Sequence, residues 1–345
     1  MDVQPATRDI IAIGASAGGV EALKQLVGDL PADLPASVFI VLHVGTTSYL
    51  DSILDRAGSL PVTNAVSGQP IERGRIYVAP PGLHLLVHDS HVLLRRGPRE
   101  NMARPAIDPL FRSVACTFGG RVIGVVLTGA LNDGTAGLRA VKRCGGLAVV
   151  QDPDDAIVPD MPRSALKHVE VDHCLPVAEM GATLARLAAE PAGRTPEIPA
   201  DIRLETAIAA QEHRPMETDD RLGNPSGFSC PECHGPLWEI ADGSVLRYRC
   251  RVGHAYTADA MLEEQSDEIE QLLWSLLQSH QQRAELARRM AEKESAKNHK
   301  LAVRLRERAR EYDEDAGLVH KLLLDRQIAI AQDQPPPPVP QGDGT

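Results

Sequence analysis

Aromatic residues are scarce in this chain of 345 residues, at 3%. A core of ordinary size must then be built from Val, Ile, Leu and Ala. That suits a parallel sheet wrapped by helices, whose central strands read as short aliphatic runs. No apolar stretch reaches the length of a membrane span, so no membrane insertion is expected. The opening residues MDVQPATRD lack a basic segment followed by an apolar one. No secretory signal is therefore expected, and a cytoplasmic location is. Basic residues are outnumbered, 36 Lys and Arg against 47 Asp and Glu, for a formal net charge of −11. This balance argues against broad nucleic-acid affinity, which needs clustered cations. The length exceeds one typical compact domain, so one large domain with additions is expected. Cysteines are few. Cys116, Cys144 and Cys174 are scattered and are expected as small core residues, whereas Cys230, Cys233 and Cys250 are clustered and need a separate explanation.

Residues 9–185 alternate strand and helix. Strands are expected at Asp9–Ile13, Val38–Leu42, Arg75–Ala79, His84–His88, Val92–Arg95, Val122–Leu127 and Leu147–Gln151. Helices are expected from Val20 to Leu26, over Pro109–Phe118 and over Thr135–Arg143. The alternation predicts a doubly wound α/β domain over residues 1–190, with a mainly parallel sheet and one antiparallel hairpin turning near Asp89-Ser90. Residues 191–227, rich in Pro, Glu, Asp and Arg, read as a linker with one short helix at Ile202–Gln211. Residues 228–256 form a Cys-rich module. Residues 257–328 carry two apolar stripes, Ile269 to Met290 and Leu301 to Leu323, separated by the polar stretch Ser295–Lys300. A helical hairpin, a single long helix and a dimerising coiled coil are the readings of that region. The Pro-rich tail, residues 329–345, is expected to be disordered.

Gly14-Ala15-Ser16-Ala17-Gly18 fits the G-x-S-x-G pattern of a nucleophile turn, where a sharp strand-to-helix bend tolerates only small neighbours. Glycine-rich turns also cradle phosphates, so the pattern alone leaves both readings open. The second strand weighs against a dinucleotide, because its end carries His43 where an acidic residue would hold the ribose. Parallel neighbours lie about 5 Å apart, so Ser16 is within reach of His43 if the first two strands are adjacent, a structural histidine being the alternative. The run Val122–Leu127 leads to Asp133, which is also a natural N-cap for the helix beginning near Thr135. Serine, histidine and aspartate thus converge on the carboxyl edge of one sheet, where open α/β folds place their sites.

The segments IGASAGGVEAL around Ser16, VLHV around His43, IYVAPPGLHL from Ile76, RPAIDPLF from Arg104, VLTGALNDGTAG around Asp133 and MPRSAL from Met161 are similar, in order, to the catalytic domain of CheB. CheB is the protein-glutamate methylesterase of bacterial chemotaxis. The resemblance covers about half the chain. It implies a Ser16-His43-Asp133 triad, hydrolysis of glutamate γ-methyl esters on a chemoreceptor or similar signalling protein, and glutamine deamidation by the same intermediate. It implies no cofactor for catalysis. Backbone N–H groups near Ala17, Gly18 and Ala130 are the oxyanion candidates. A CheR-like methyltransferase and a separate receiver protein are the implied partners. The family usually carries an N-terminal receiver domain, and this chain begins almost at the catalytic strand, so regulation in cis is expected to be absent. Val44-Gly45 stands where many relatives have Met-Pro, and Ala130 where a Met is common. These departures leave the substrate open. The rival readings are a serine esterase for another substrate, a scaffold that has lost activity, and a nucleotide-binding domain, against which His43 counts. Arg104, Met161 and Arg163 are candidates for the substrate cleft, with a solvated loop position as the alternative for the arginines. His84, His88 and His91 are expected at the surface rather than as a metal site.

Cys230-Pro231-Glu232-Cys233 is followed by Cys250-Arg251-Val252-Gly253-His254. Cys230, Cys233, Cys250 and His254 are a tetrahedral zinc set, on a hairpin turning through Asp242-Gly243, and a closed four-ligand site implies a structural ion in a zinc-ribbon-like module. His234 is a competing ligand. Reduced cysteines in a small hairpin and a redox C-x-x-C are the alternatives. The small basic patch of Arg247, Arg249 and Arg251 favours contact with protein over nucleic acid.

Overall fold

The structure, a computed structural model, describes residues 6–212 and 223–333. The chain divides into a larger unit ending at Leu262 and a smaller one beginning at Glu263. The larger unit is centred on a seven-stranded sheet. Its strands are β1 (Ile10–Ala15), β2 (Ser37–Leu42), β3 (Val62–Asn64), β4 (Arg75–Val78), β7 (Val122–Val126), β8 (Leu147–Gln151) and β9 (His173–Leu175). They stand in the order β3-β4-β2-β1-β7-β8-β9, and every neighbouring pair is parallel.

Every residue of β1, β2 and β7 is buried. Their aliphatic side chains alternate between two cores, as the two-residue strand period requires. Ile11 and Ile13 face Leu23 and Leu26 of α1 (Gly19–Gly28) and Leu184 and Leu187 of α6 (Val177–Ala189). Ile10 and Ala12 face Phe111 and Val114 of α3 (Ile107–Phe118) and Leu138 and Val141 of α4 (Thr135–Arg143). Each fully buried Leu, Ile or Val contributes about 1.5–3 kcal/mol, so helices are held on both faces. The remaining helices around the sheet are α2 (Leu50–Asp55) and α5 (Asp160–His168).

The antiparallel hairpin joins β5 (His84–His88) to β6 (His91–Arg95), with Asp89 in the turn at φ 53. It is fastened to α3, where the Ser113 hydroxyl accepts the Val87 N–H at 3.0 Å. His88 and His91 are exposed, but His84 is not. Its Nε2 donates to the Pro98 carbonyl at 2.8 Å and its Nδ1 accepts the Ala106 N–H at 3.2 Å, so the expected surface histidine is a buried brace for the loop after β6. Cys144 is buried, whereas Cys174 is exposed, so only part of the expected core set is core.

Within residues 191–227 lies α7 (Ala200–Ala209), whose Ile202, Glu205 and Ala209 are buried. Residues 213–222 are outside the described residues. The Cys-rich module is an antiparallel sheet of β10 (Asn224–Ser229), β11 (Pro236–Asp242), β12 (Val245–Cys250) and β13 (Ala255–Thr257). The β11–β12 hairpin turns after Asp242, where Gly243 takes φ 56.

Two long helices follow, α8 (Ala258–Glu294) and α9 (His299–Asp333). In the smaller unit Leu277 clusters with Ala316, Val319 and Leu323, and Arg283 donates to the Tyr312 hydroxyl at 2.9 Å. Low numbers on α8 meet high numbers on α9, so the pair is an antiparallel hairpin rather than one long helix. Asn298 closes the bend by accepting the Leu301 N–H at 3.1 Å, a helix N-cap. No described helix is long and apolar enough to cross a membrane. The tail beyond residue 333 lies outside the described residues.

Candidate active site

The strand order reverses at β1, with β2 on one side and β7 on the other. Loops leaving the carboxyl ends of these three strands meet there and form a crevice. Ser16 follows β1 directly. Its N–H donates to the Thr128 carbonyl at 3.0 Å, which ties the β1 loop to the β7 loop. Gly18 precedes α1 with φ 75, a left-handed turn that a side chain would strain. His43 follows β2, and its N–H extends the parallel ladder to the Ala15 carbonyl at 3.2 Å.

The side chains complete a chain of bonds. Ser16 Oγ lies 3.1 Å from His43 Nδ1, and His43 Nε2 lies 2.8 Å from Asp133 Oδ2. The carboxylate fixes the tautomer, because Nε2–H donates to Asp133 and leaves Nδ1 free to accept the Ser16 proton. The ring nitrogens are placed in the opposite sense from the serine-protease arrangement, with the same three residue types.

Asp133 is 2% exposed. The alternative role that the sequence offers it, N-cap of the helix beginning near Thr135, is not taken, since the residue preceding α4 is Gly134, without a side-chain cap. The Asp133 carboxylate instead caps α3. Oδ2 accepts the Ile107 N–H at 2.7 Å and Oδ1 the Asp108 N–H at 3.2 Å, the first two amides of that helix. A helix N-terminus is the place where a carboxylate is favoured. Burial by itself would raise the Asp133 pKa. The bonds and charge of His43, with those from Ile107 and Asn101, outweigh burial and hold it below the usual carboxylate value. Asp133 is therefore ionised at neutral pH.

Two residues not singled out in the sequence belong to this site. Asn101, at φ 49 in the loop after β6, donates from Nδ2 to Asp133 Oδ1 and to Asp108 Oδ2, each at 3.0 Å. Asp108 is buried, and burial with the neighbouring Asp133 charge pushes its pKa up to about 7. A positive φ favours Asn over most residues, but one Asn in a loop is too common to mark a position.

Ser16, His43 and Asp133 line a cleft of about 760 Å³. Arg96, Arg99 and Arg104 line it, together with Thr46, Met102 and Leu131. Arg104, a substrate-cleft candidate, is on that lining, and its Nη1 donates to the Gly97 carbonyl at 2.7 Å. Met161 and Arg163 are not on the lining. Met161 is fully buried behind the nucleophile, where a Cβ on Gly129 would stand 2.2 Å from its sulfur and 2.7 Å from Ser16 Cβ. Arg163 is on the exposed side of α5. Of the oxyanion candidates, Ala17 is exposed beside Ser16, Gly18 faces a separate crevice, and Ala130 lies on the cleft wall.

Among the described residues, one group of candidate metal ligands gathers. Ligand atoms of Cys230, Cys233, Cys250 and His254 all lie within 4.8 Å of one another. His234 is exposed and outside that group.

A serine, a histidine and a buried carboxylate joined by hydrogen bonds at the switch point of a parallel α/β sheet are the arrangement that serine hydrolases use. The family model described as CheB methylesterase matches residues 11–184, and the chain belongs to that family. A Leptospira interrogans protein provisionally named protein-glutamate methylesterase/protein-glutamine glutaminase is 39% identical over 182 residues, which are 52% of this chain and 94% of that one. Protein-glutamate methylesterase/protein-glutamine glutaminase 2 of Methanosarcina mazei is 36% identical over 190 residues. The match takes in 52% of each, so the chain spans about half the length of that relative. The crystal structure of the Thermotoga maritima CheB methylesterase catalytic domain is 32% identical with a TM-score of 0.50, covering 52% of this chain and 98% of that one.

Proposed function

We infer that this chain is a protein-glutamate methylesterase, acting on glutamate γ-methyl esters of a chemoreceptor or similar signalling protein. The observation that carries the reading is the continuous bond path from Ser16 Oγ through His43 to the buried Asp133 carboxylate, within a CheB family domain.

The Ser16 oxygen attacks the ester carbonyl as its proton passes to His43 Nδ1. Asp133 stabilises the cationic ring across the 2.8 Å bond to Nε2. The N–H of Ala17, the residue after the nucleophile, and that of Ala130 on the cleft wall are the donors for the oxyanion. The protonated ring gives its proton to the leaving methoxide, and methanol departs. Water, deprotonated by the same nitrogen, attacks the acyl-serine, and Ser16 recovers its proton as the glutamate carboxylate leaves. Deamidation of glutamine follows the same steps, with ammonia leaving in place of methanol.

The arginines on the cleft support a protein substrate with acidic character around the ester. A CheR-like methyltransferase would supply the ester, and a separate receiver protein would be the regulatory partner. The helical hairpin offers apolar side chains such as Leu272, Leu286 and Leu318 at its surface, which suits dimerisation. Cytoplasmic placement goes with a substrate on the inner side of the membrane. The test is methanol release from methylated receptor fragments set against hydrolysis of simple alkyl esters. Preference for the receptor ester is expected. Turnover of alkyl esters alone would replace the reading with an esterase of another substrate.

A further inference from the structure

The ligand atoms of the Cys-rich module have the spacing that one tetrahedral ion requires. Thiolates at about 2.3 Å from Zn²⁺ and an imidazole nitrogen at about 2.0–2.1 Å stand roughly 3.5–3.8 Å apart around the tetrahedron. Cys233 Sγ and Cys250 Sγ are 3.6 Å apart. His254 Nδ1 lies 3.6 Å from Cys230 Sγ and 3.5 Å from Cys250 Sγ. The other ring nitrogen, His254 Nε2, meets Glu232 Oε2 at 3.2 Å, the outer carboxylate that commonly orients a metal-bound histidine. The cysteines are free thiols, with Cys230 and Cys250 buried, and the local core holds only a few side chains, among them Leu237, Tyr248 and Tyr256. So small a core needs a metal to hold its fold.

What this module touches is the active-site loop. Beyond His254, the Ala255 carbonyl accepts the Asn101 N–H at 2.8 Å, and the Ala255 N–H reaches the Arg99 carbonyl at 3.3 Å. The Thr257 N–H donates to Asn101 Oδ1 at 3.0 Å, leaving Asn101 Nδ2 aimed at Asp133. The Thr257 hydroxyl binds the Asn132 side chain, next to Asp133. Behind the loop, Arg249, fully buried, joins Glu100 at 3.2 Å and Glu205 at 2.6 Å. One short strand, beginning at the residue after a candidate ligand, thus holds the wall of the cleft and a hydrogen-bond donor to Asp133.

We propose that Cys230, Cys233, Cys250 and His254 bind one zinc ion, and that the metal-folded module is a clamp holding Asn101 and the loop around it in the catalytic arrangement. Occupancy of the metal site then sets the competence of the hydrolase. The activity part rests on the methylesterase reading, and the metal and clamp parts do not.

The experiment uses the full chain. Metal analysis after zinc-supplemented expression is expected to find one zinc per chain, lost in Cys233→Ser. Replacement by Co²⁺ is expected to give the visible bands of tetrahedral thiolate coordination. A folded chain with clearly less than one bound metal overturns the site. Because the cysteine variant can fail to fold, the clamp is tested by chelator stripping and zinc return on the native chain, followed by hydrogen exchange. The Asn101 and Thr257 amides are expected to lose protection on stripping and regain it with zinc, while β1 and β7 stay protected. Unchanged exchange at those two amides overturns the clamp. Methanol release is expected to fall about 10²-fold on stripping and to return with zinc. Full activity in the stripped protein overturns the control of catalysis. Absence of methanol release from the loaded protein sinks the methylesterase reading instead and leaves the metal and exchange results to judge the clamp.

Discussion

The backbone N–H of Thr257 donates to the side-chain oxygen of Asn101 at 3.0 Å, and the amide nitrogen of Asn101 donates onward to Asp133 at the same distance. Asn101→Ala removes both bonds and leaves Asp133 with its backbone donors and His43. The expected result is a kcat lower by about 10²-fold, with a smaller change in KM. The acid limb of the pH–rate profile should shift as well, because one of the donors that hold Asp133 ionised is gone. Steady-state kinetics on a methyl-ester substrate across pH check this. An unchanged kcat would remove Asn101 from the site.

Asp133→Asn should lower kcat by about 10⁴-fold. The reason is specific to the pocket. Both oxygens of Asp133 accept bonds, from Ile107, Asp108, Gly134 and Asn101 as well as His43. An amide NH2 group placed there meets donors on either side. A variant that keeps its fold by circular dichroism and loses less than about tenfold would contradict the role of Asp133 in orienting His43.

Much of this site was legible in the sequence. The seven expected strands exist, within one or two residues at their ends, because β1, β2 and β7 are continuous aliphatic runs buried on both faces. The glycine spacing around Ser16 is a local signal, whereas the reach of His43 to it rests on β1 and β2 being neighbours, as the parallel α/β pattern implies and the register shows. The strands β3 and β9 have no counterpart among the expected strands, since three residues of mixed polarity leave no periodic trace. Met161 and Arg163 sat in a family segment, but only the turn of α5 decides which faces the cleft, and neither does. Asp133 could not be seen to cap α3, because that helix begins 26 residues earlier in the chain. Asn101 and Glu205 gain their meaning from partners more than 30 residues away in sequence, which no spacing rule reaches.

Glu205 joins Arg247 and Arg249, each at 2.6 Å, inside a network closed to solvent. Glu205→Ala leaves three buried guanidinium groups, those of Arg112, Arg247 and Arg249, without this partner. Loss of about 3–5 kcal/mol of stability is expected, because stranding a buried charge costs more than the pair contributes. Urea denaturation of the variant checks it, and a loss below about 1 kcal/mol would contradict the account.

Asp9, buried at the start of β1, is bonded to Arg121 and Arg73. Burial opposes its ionisation, but the two arginines prevail and hold its pKa below 3.8. The folded carboxyl therefore binds its proton less well than the unfolded one. Its contribution is present above the unfolded value and is lost as pH falls through the folded value. Asp9→Asn should cost about 1–2 kcal/mol at neutral pH, a modest figure because both arginines are partly exposed. The difference from the native chain should shrink as pH falls below about 4. Equal differences at both pH values would contradict the assignment.

The central claim is that Ser16 is the nucleophile of a methylesterase. The direct measurement is methanol released from methylated chemoreceptor fragments by the native chain and by Ser16→Ala, which leaves the backbone of the turn in place. The account predicts release by the native protein and a fall of about 10⁴-fold or more in the variant. Equal release by the two proteins, or none from the native chain with any receptor fragment, would contradict it.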